Sequence, residues 1–216
     1  MFDSSTPLLQ QGNSKLGSAI HVWSIPALDT CPGSTVLCRN LCYALRHRFR
    51  FDSVQRRLAW NLRQSRRDDF IERMVAEIRS CGALVLRLHV AGDFYDATYI
   101  RKWLTIVKRS PRARFYSYSR SWRIATLAPL LEELAACSAM RMWYSVDDES
   151  GVPASIPPNV RLAHLQTSTT LPSGVDLVFR PQRLRTLPEL PIVCDSETIS
   201  GKQQAVTCGS CGRCFR

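Results

Sequence analysis

The chain has 216 residues and a net charge of +11, from 29 Lys and Arg against 18 Asp and Glu. Its length fits one domain, and 45% hydrophobic residues are enough for a packed core, which excludes a wholly disordered chain. No apolar run reaches the roughly 18 residues of a membrane-spanning helix, and the start, Met1-Phe-Asp-Ser-Ser-Thr, lacks the basic lead and apolar centre of a signal peptide. The expectation is a cytoplasmic protein with no membrane partner.

Residues 1–18 are polar and read as a lead-in loop, with Gly12, Asn13, Lys15 and Gly17. Ala19–Ile25 alternates weakly and predicts a first strand, which Pro26 ends. Thr30–Ala44 follows and holds Cys31, Cys38 and Cys42. Pro32 and Gly33 make the first spacer a loop, and the last leads into a helix-compatible run. Three thiolates on a loop ending in a helix can hold a metal cluster and leave one metal open for a ligand.

From Leu41 to about Arg79 the pattern is helical, with Leu58 and Leu62, then Phe70, Ile71, Met74, Val75 and Ile78, at spacings of three and four. Ser65 and Asp68 are candidate N-caps at a break. The stretch Arg46–Arg67 is arginine-rich and carries Phe49, Phe51 and Trp60. It reads either as a solvated helix face or as basic residues interleaved with aromatics for nucleic acid. Cys81-Gly82 closes the helix. Cys81 and Cys137 stand alone and read as buried small hydrophobes.

Leu84–Val90 predicts a strand with Leu84, Leu86, Leu88 and Val90 on one face and Val85, Arg87 and His89 on the other. Ala91-Gly92-Asp93 follows. Asp96 is placed to cap a helix whose apolar face is Tyr99, Ile100, Trp103, Leu104 and Val107. The unit then repeats. Strands are predicted at Arg114–Ser119, Met140–Val146, Val160–Leu165 and Val175–Phe179, with a helix marked by Leu127, Leu130, Leu131 and Leu134. Alternating strand and helix implies an α/β fold with a parallel sheet and right-handed crossovers. Polar and aromatic residues opposite the aliphatic face (Arg87 and His89, Tyr116 and Tyr118, Arg141 and Trp143, His164) fit a curved sheet with a partly wet interior. The cysteine loop, Gly92-Asp93, Ser119-Arg120, Asp147, Gln166 and Arg180 then share the C-terminal rim, where α/β folds place their chemistry.

Residues 191–216 form a cysteine-rich tail, so the expected division is 1–18, 19–190 and 191–216. Cys194 is followed by Cys208, Cys211 and Cys214 in CxxCxxC spacing. Tight spacing and an odd count in a reducing compartment point to metal rather than disulfides. Four thiolates can hold an iron–sulfur cluster, which the CxxCxxC step favours, or a structural zinc.

A cysteine triad ending in Cys42-Tyr43-Ala44 behind the first strand of a strand–helix repeat resembles the radical S-adenosylmethionine (SAM) superfamily. That resemblance implies a partial (β/α)6 barrel and a three-cysteine [4Fe–4S] cluster whose open iron chelates SAM, with reductive cleavage to a 5′-deoxyadenosyl radical. The family's triad is spaced CxxxCxxC, whereas this one is Cys-x6-Cys-x3-Cys, with Tyr43 after the third cysteine. The resemblance implies cofactor contacts from Gly92, Asp93, Tyr43, Ser119 and Arg180, Asp93 lying near the methionine amine, and an electron-donor protein as partner. His89, Asp93, Arg120 and Asp147 are the catalytic candidates. A likeness over nearly the whole chain is to the phage and plasmid "Gene product 88" domain family. It rests on Gly12-Asn13-Ser-Lys15-Leu-Gly17, Thr30-Cys31-Pro32-Gly33, Cys42-Tyr43-Ala44, His89-Val-Ala-Gly92-Asp93-Phe94-Tyr95, Tyr116-Ser-Tyr118-Ser-Arg120-Ser-Trp122 and the cysteine tail. It implies kinship rather than a reaction.

Plainer readings stand beside these. Cys31, Cys38 and Cys42 can form a zinc knuckle completed by His47, His89 or Cys194. Asp93 can serve a helix N-terminus, His89 can be a hydrogen-bonded interior residue, and Arg120 and Arg180 can be structural or can clasp a carboxylate or phosphate. The expectation is a radical-SAM-like iron–sulfur enzyme; the alternative is a non-enzymatic, nucleic-acid-binding metalloprotein. The basic charge fits a nucleic-acid substrate or partner and fits equally an arginine-rich surface with no binding role.

Overall fold

The computed structural model describes residues 2, 3 and 5–216; Met1 and Ser4 of the lead-in lie outside the described residues. Its centre is one sheet of seven strands in the order of the sequence: β1 (Gln10–Gln11), β2 (Ile20–Trp23), β3 (Val85–Leu88), β4 (Arg114–Ser119), β5 (Met140–Val146), β6 (Val160–Leu165) and β7 (Leu177–Phe179). β1 is antiparallel to β2 and the rest are parallel. All six expected strands are present, and a lone parallel bridge from Val178 to Val193 extends the row. The helices are α1 (Val36–Leu41), α2 (Asp52–Arg66), α3 (Phe70–Ser80), α4 (Ala97–Arg109), α5 (Ala128–Ala135), α6 (Ile199–Gln203) and α7 (Cys208–Cys211).

Strand order that follows chain order, with crossovers of one hand, puts every connecting helix on the same face. The core agrees. Leu86, Leu88, Phe115, Met142 and Leu162 of the sheet are buried in one cluster with Phe70, Met74, Ile100, Trp103 and Leu131 of α3, α4 and α5. Asp96 caps α4, its carboxylate accepting the Tyr99 amide, and the buried Tyr99, Ile100, Trp103 and Val107 recur at helical spacing. Trp23 packs 5.2 Å from Phe70 and 6.3 Å from Trp103, and its indole N–H donates to Tyr99 Oη at 2.8 Å. Truncating so buried an indole costs about 3–5 kcal/mol.

The other face of the sheet is covered by the chain's two ends. Leu16, Ile20, Tyr116 and Phe215 form one small buried cluster there, and Trp143, Ala163 and Leu177 another. The lead-in and tail are joined: the Cys208 and Gly209 amides donate to the Lys15 and Leu16 carbonyls at 2.9 Å each.

Several local expectations are corrected. Ser65 lies inside α2 and bonds the Leu62 carbonyl; α3 begins after Asp69, and neither Ser65 nor Asp68 caps it. Cys81 is exposed and Cys137 only half-buried. His89 does not continue the face of Arg87. Its φ of +63° ends the strand's alternation, so its ring turns to the helix side against Phe94, at 4.6 Å and 90°.

Candidate metal and rim site

The cysteine loop is strapped across the C-terminal ends of β3, β4 and β5. Thr35 is the N-cap of α1, its hydroxyl accepting the Cys38 amide at 2.9 Å and donating to Asp147 Oδ2 at 2.7 Å. Glu149, beyond β5, accepts the Val36 and Leu37 amides of the helix's first turn at 3.2 and 2.7 Å. Gly33 lies against β4's end: a Cβ there would meet the Arg120 carbonyl oxygen at 1.9 Å, and Arg123 donates to the Gly33 carbonyl at 2.7 Å. Tyr43, just past Cys42, donates its hydroxyl to the Val90 carbonyl beyond β3.

Cys31, Cys38 and Cys42 are half-buried. Burial pushes the Cys31 thiol up to about 12, helped by the nearby Asp93 carboxylate and by Cys38 and Cys42. Burial also raises Cys38, whose electrostatic neighbours are Arg120, Cys42, Asp147 and Asp93. The three thiols and the glycine–aspartate corner therefore share one neighbourhood. Among the described residues, no three His, Cys, Asp or Glu side chains already stand as a metal cage.

The other rim residues are engaged with each other. Gly92, at φ +81°, lies so close to Ile25 and Thr30 that a Cβ would meet them at 2.4 and 2.7 Å. Asp93 accepts the Phe94 amide and Ser119 hydroxyl on Oδ1 and the Arg120 amide on Oδ2, each at 2.7 Å. Burial nonetheless holds its pKa above the ordinary carboxylate value, against those bonds. Arg120 pairs with Asp147 at 2.7 Å, both buried. Arg180 donates to Gln166 Oε1 at 2.8 Å and to the Leu187 and Pro188 carbonyls at 3.1 and 3.0 Å. His89 Nε2 lies 2.9 Å from Tyr99 Oη, and burial lowers its pKa to about 3. So Asp93, Ser119, Arg120 and Asp147 converge beside the triad. Arg180 sits within the segment before the tail, and His89 sits in the core.

Sequence reasoning passed over Thr35 and Glu149, although a threonine ahead of a helical run is an N-cap signal. It placed His164 only on the polar face of the sheet and not among the site candidates. That buried histidine lies 3.2 Å from Asp148 and lines, with Asp147, Thr170 and Leu171, a rim cavity of about 350 Å³.

The tail's thiols lie on the sheet's other face. The Cys194 amide donates to the Val178 carbonyl at 2.9 Å. Cys214 receives the Tyr118 hydroxyl on Sγ at 2.7 Å, and its carbonyl takes the Trp143 indole N–H at 3.0 Å. Burial pushes Cys214 up to about 11, with Cys208 and Cys194 among its neighbours. Cys211 donates to Asp195 Oδ2 at 3.1 Å.

Residues 7–216 match the model of the family described as "Gene product 88". The chain belongs to the Gene product 88 family. It is 28% identical over 152 residues to the "Gene 88 protein" of Mycobacterium phage L5, covering 64% of this chain and 62% of that protein. It is 26% identical over 217 residues to the "Gene 88 protein" of Mycobacterium phage D29, covering 94% of this chain and 86% of that one. The first match thus spans less than two thirds of the relative's length. No solved structure matches the chain. No described helix is long and apolar enough to cross a membrane.

Proposed function

We propose that this phage-family chain is an iron–sulfur protein of radical-SAM type, acting in a reducing cytoplasm. In this reading Cys31, Cys38 and Cys42 hold a [4Fe–4S] cluster, and Cys194, Cys208, Cys211 and Cys214 form a second metal site. The observation that carries it is the strap: three thiols in one neighbourhood, fastened through Thr35, Gly33 and Tyr43 over the strand ends where α/β folds do chemistry. The row of parallel strands in chain order, with helices on one face, supports a partial (β/α)6 barrel.

The donor set fits the group. Half-buried thiols beside a carboxylate resist ionisation unless a cation joins them, and iron or zinc would supply that charge. The bound cluster, once reduced by a donor protein, would supply the electron that cleaves the SAM sulfonium. The chain's own residues orient and enclose. Asp93 fixes Ser119 and the Arg120 amide and so positions the rim, while Asp147 and Arg120 hold the triad's helix. The cavity beside Asp147 offers room for a ligand.

Anaerobically purified protein is expected to be brown, to contain iron and acid-labile sulfide, and to release 5′-deoxyadenosine when reduced with SAM. A Cys31/Cys38/Cys42→Ala variant should lose that release. Colourless, zinc-loaded protein from anaerobic, iron-replete cells would reject the reading.

A second reading, a nucleic-acid-binding metalloprotein, is favoured by one observation. Arg46, Arg48 and Arg50 are exposed together with Phe51 and Tyr43 on the short 3-10 turns after the triad. Nucleic-acid affinity that falls steeply with salt, without SAM binding, would support it.

A further inference from the structure

The rim cavity of about 350 Å³ lies beyond the C-terminal ends of β5 and β6, and His164 lines it together with Asp147 and Asp148. The ring of His164 is 1% exposed, and its Nε2 lies 3.2 Å from Asp148 Oδ1. Burial lowers its pKa; the Asp148 and Asp147 carboxylates oppose this and Arg120 adds to it, so the ring is uncharged at neutral pH. A carboxylate only accepts, so the one proton of the neutral ring sits on Nε2 and is given to Asp148. Nδ1 is left with its lone pair. That atom is buried and has no hydrogen-bond partner. A buried acceptor left open is costly, so the site calls for a donor.

Charge says which kind of donor. Asp147 is neutralised by Arg120 at 2.7 Å. Among the described residues, Asp148 bonds only the His164 ring and the Thr167 hydroxyl, both neutral. No lysine or arginine among the described residues lines the cavity, and Val152, Leu171 and Pro172 give it an apolar wall. One carboxylate without a counter-charge beside an open lone pair selects a donor that is itself positive.

We propose that this cavity binds a small organic amine, its ammonium group donating to His164 Nδ1 beside Asp148 and its apolar part lying on Val152, Leu171 and Pro172. Asp148 is the positioning residue: it fixes the tautomer of the ring and supplies the charge. This deepens the reading above by giving the rim cavity a ligand class, and it rests on that reading only in treating the cavity as room for a ligand.

The test uses the full-length protein and three probes of one shape: benzylamine, benzyl alcohol and benzoate. Binding is followed at neutral pH through the ring-nitrogen resonances of His164, one of four histidines, assigned by their loss in His164→Phe; calorimetry gives the affinities. Benzylamine should move the Nδ1 resonance saturably, benzyl alcohol should bind more weakly, and benzoate should not bind. His164→Phe should weaken benzylamine binding at least about tenfold, the worth of a hydrogen bond to a charged group. Asp148→Asn, at a partly exposed position, should weaken benzylamine binding more than that of benzyl alcohol, and it decides the matter if His164→Phe does not fold. An Nδ1 resonance that ignores benzylamine is served by water alone and overturns the proposal. So does benzoate that binds as well as benzylamine, or a benzylamine affinity unchanged in Asp148→Asn. None of these measurements involves iron or SAM cleavage, so a failure here is distinct from a failure of the radical-SAM reading.

Discussion

Asp147 and Arg120 meet at 2.7 Å across the C-terminal ends of β5 and β4, and the same carboxylate oxygen takes the Thr35 hydroxyl that caps the triad's helix. The pair is buried, so removing one partner strands a charge. Asp147→Asn should cost about 3 kcal/mol and loosen the cysteine loop. The pH dependence has a definite sign. Burial raises the Asp147 pKa, but Arg120, Thr35 and the Ser150 and Glu149 amides more than reverse this, leaving it below the ordinary value. A carboxylate lowered on folding contributes stability present above its unfolded value of about 4 and lost as pH falls through the folded value. Denaturant midpoints taken from pH 5 downward should drop for the wild type below about pH 4, and less for Asp147→Asn.

Gly33 is required by closeness rather than by backbone conformation. Its missing Cβ leaves room for the Arg120 carbonyl, at what would be 1.9 Å. Backbone on both sides cannot yield as a flexible side chain would. Gly33→Ala should cost about 1–3 kcal/mol and lift the loop off β4. Calorimetry reads the first effect, and iron bound per chain reads the second. A variant with unchanged stability and iron content would show that the loop is not held there.

His89 is a neutral core residue at physiological pH. Burial drives its folded pKa to about 3, against roughly 6.5 unfolded. Between those values the unfolded chain takes up a proton that the folded chain refuses. His89 therefore adds nothing to the pH dependence above about pH 6.5, and stability falls as pH drops from there toward 3. The slope is at most about 1.4 kcal/mol per pH unit. His89→Gln should flatten this stretch of the stability profile, and imidazole resonances in the wild type should report a neutral ring at about pH 5. A ring that titrates near its ordinary value in the folded protein would restore its candidacy as a base.

The parallel strands are legible in the sequence because each one after the first crossover is a short run rich in aliphatic or aromatic residues bounded by a turn. Arg114–Ser119, Met140–Val146 and Val160–Leu165 have the bounds that pattern predicts. β1 is not, because two glutamines carry no pattern; it exists through an Asn13 turn that folds Gln10–Gln11 back on β2. Strict alternation puts His89 on the wrong face because a single positive φ shifts the register, and side-chain identity does not announce it. At the rim, the residue types are readable but not their partners. Thr35 and Asp147 are 112 positions apart, and only the fold brings them together. The tail's position over the sheet is equally hidden, since a glycine-rich CxxCxxC stretch has no amphipathic face to read.

The exposed arginines after the triad separate the two functional readings. Arg46, Arg48 and Arg50 are all exposed, and Phe51 and Tyr43 beside them are 60% and 52% exposed. Arginine beside an accessible ring suits a nucleic-acid backbone with an unstacked base. Each duplex phosphate that a cationic side chain ceases to neutralise lowers the slope of log affinity against log salt by about 0.9. Replacing all three arginines by Ala should therefore flatten that slope by up to about 2.7 if they grip the backbone. Stability should barely change, because surface substitutions of this kind stay within about 0.5 kcal/mol. Phe51→Ala should weaken single-stranded binding more than duplex binding, since stacking needs an unpaired base. An unchanged salt slope in the triple variant would leave the net positive charge without a role at this face, and the rim chemistry would then have to stand on the thiols alone.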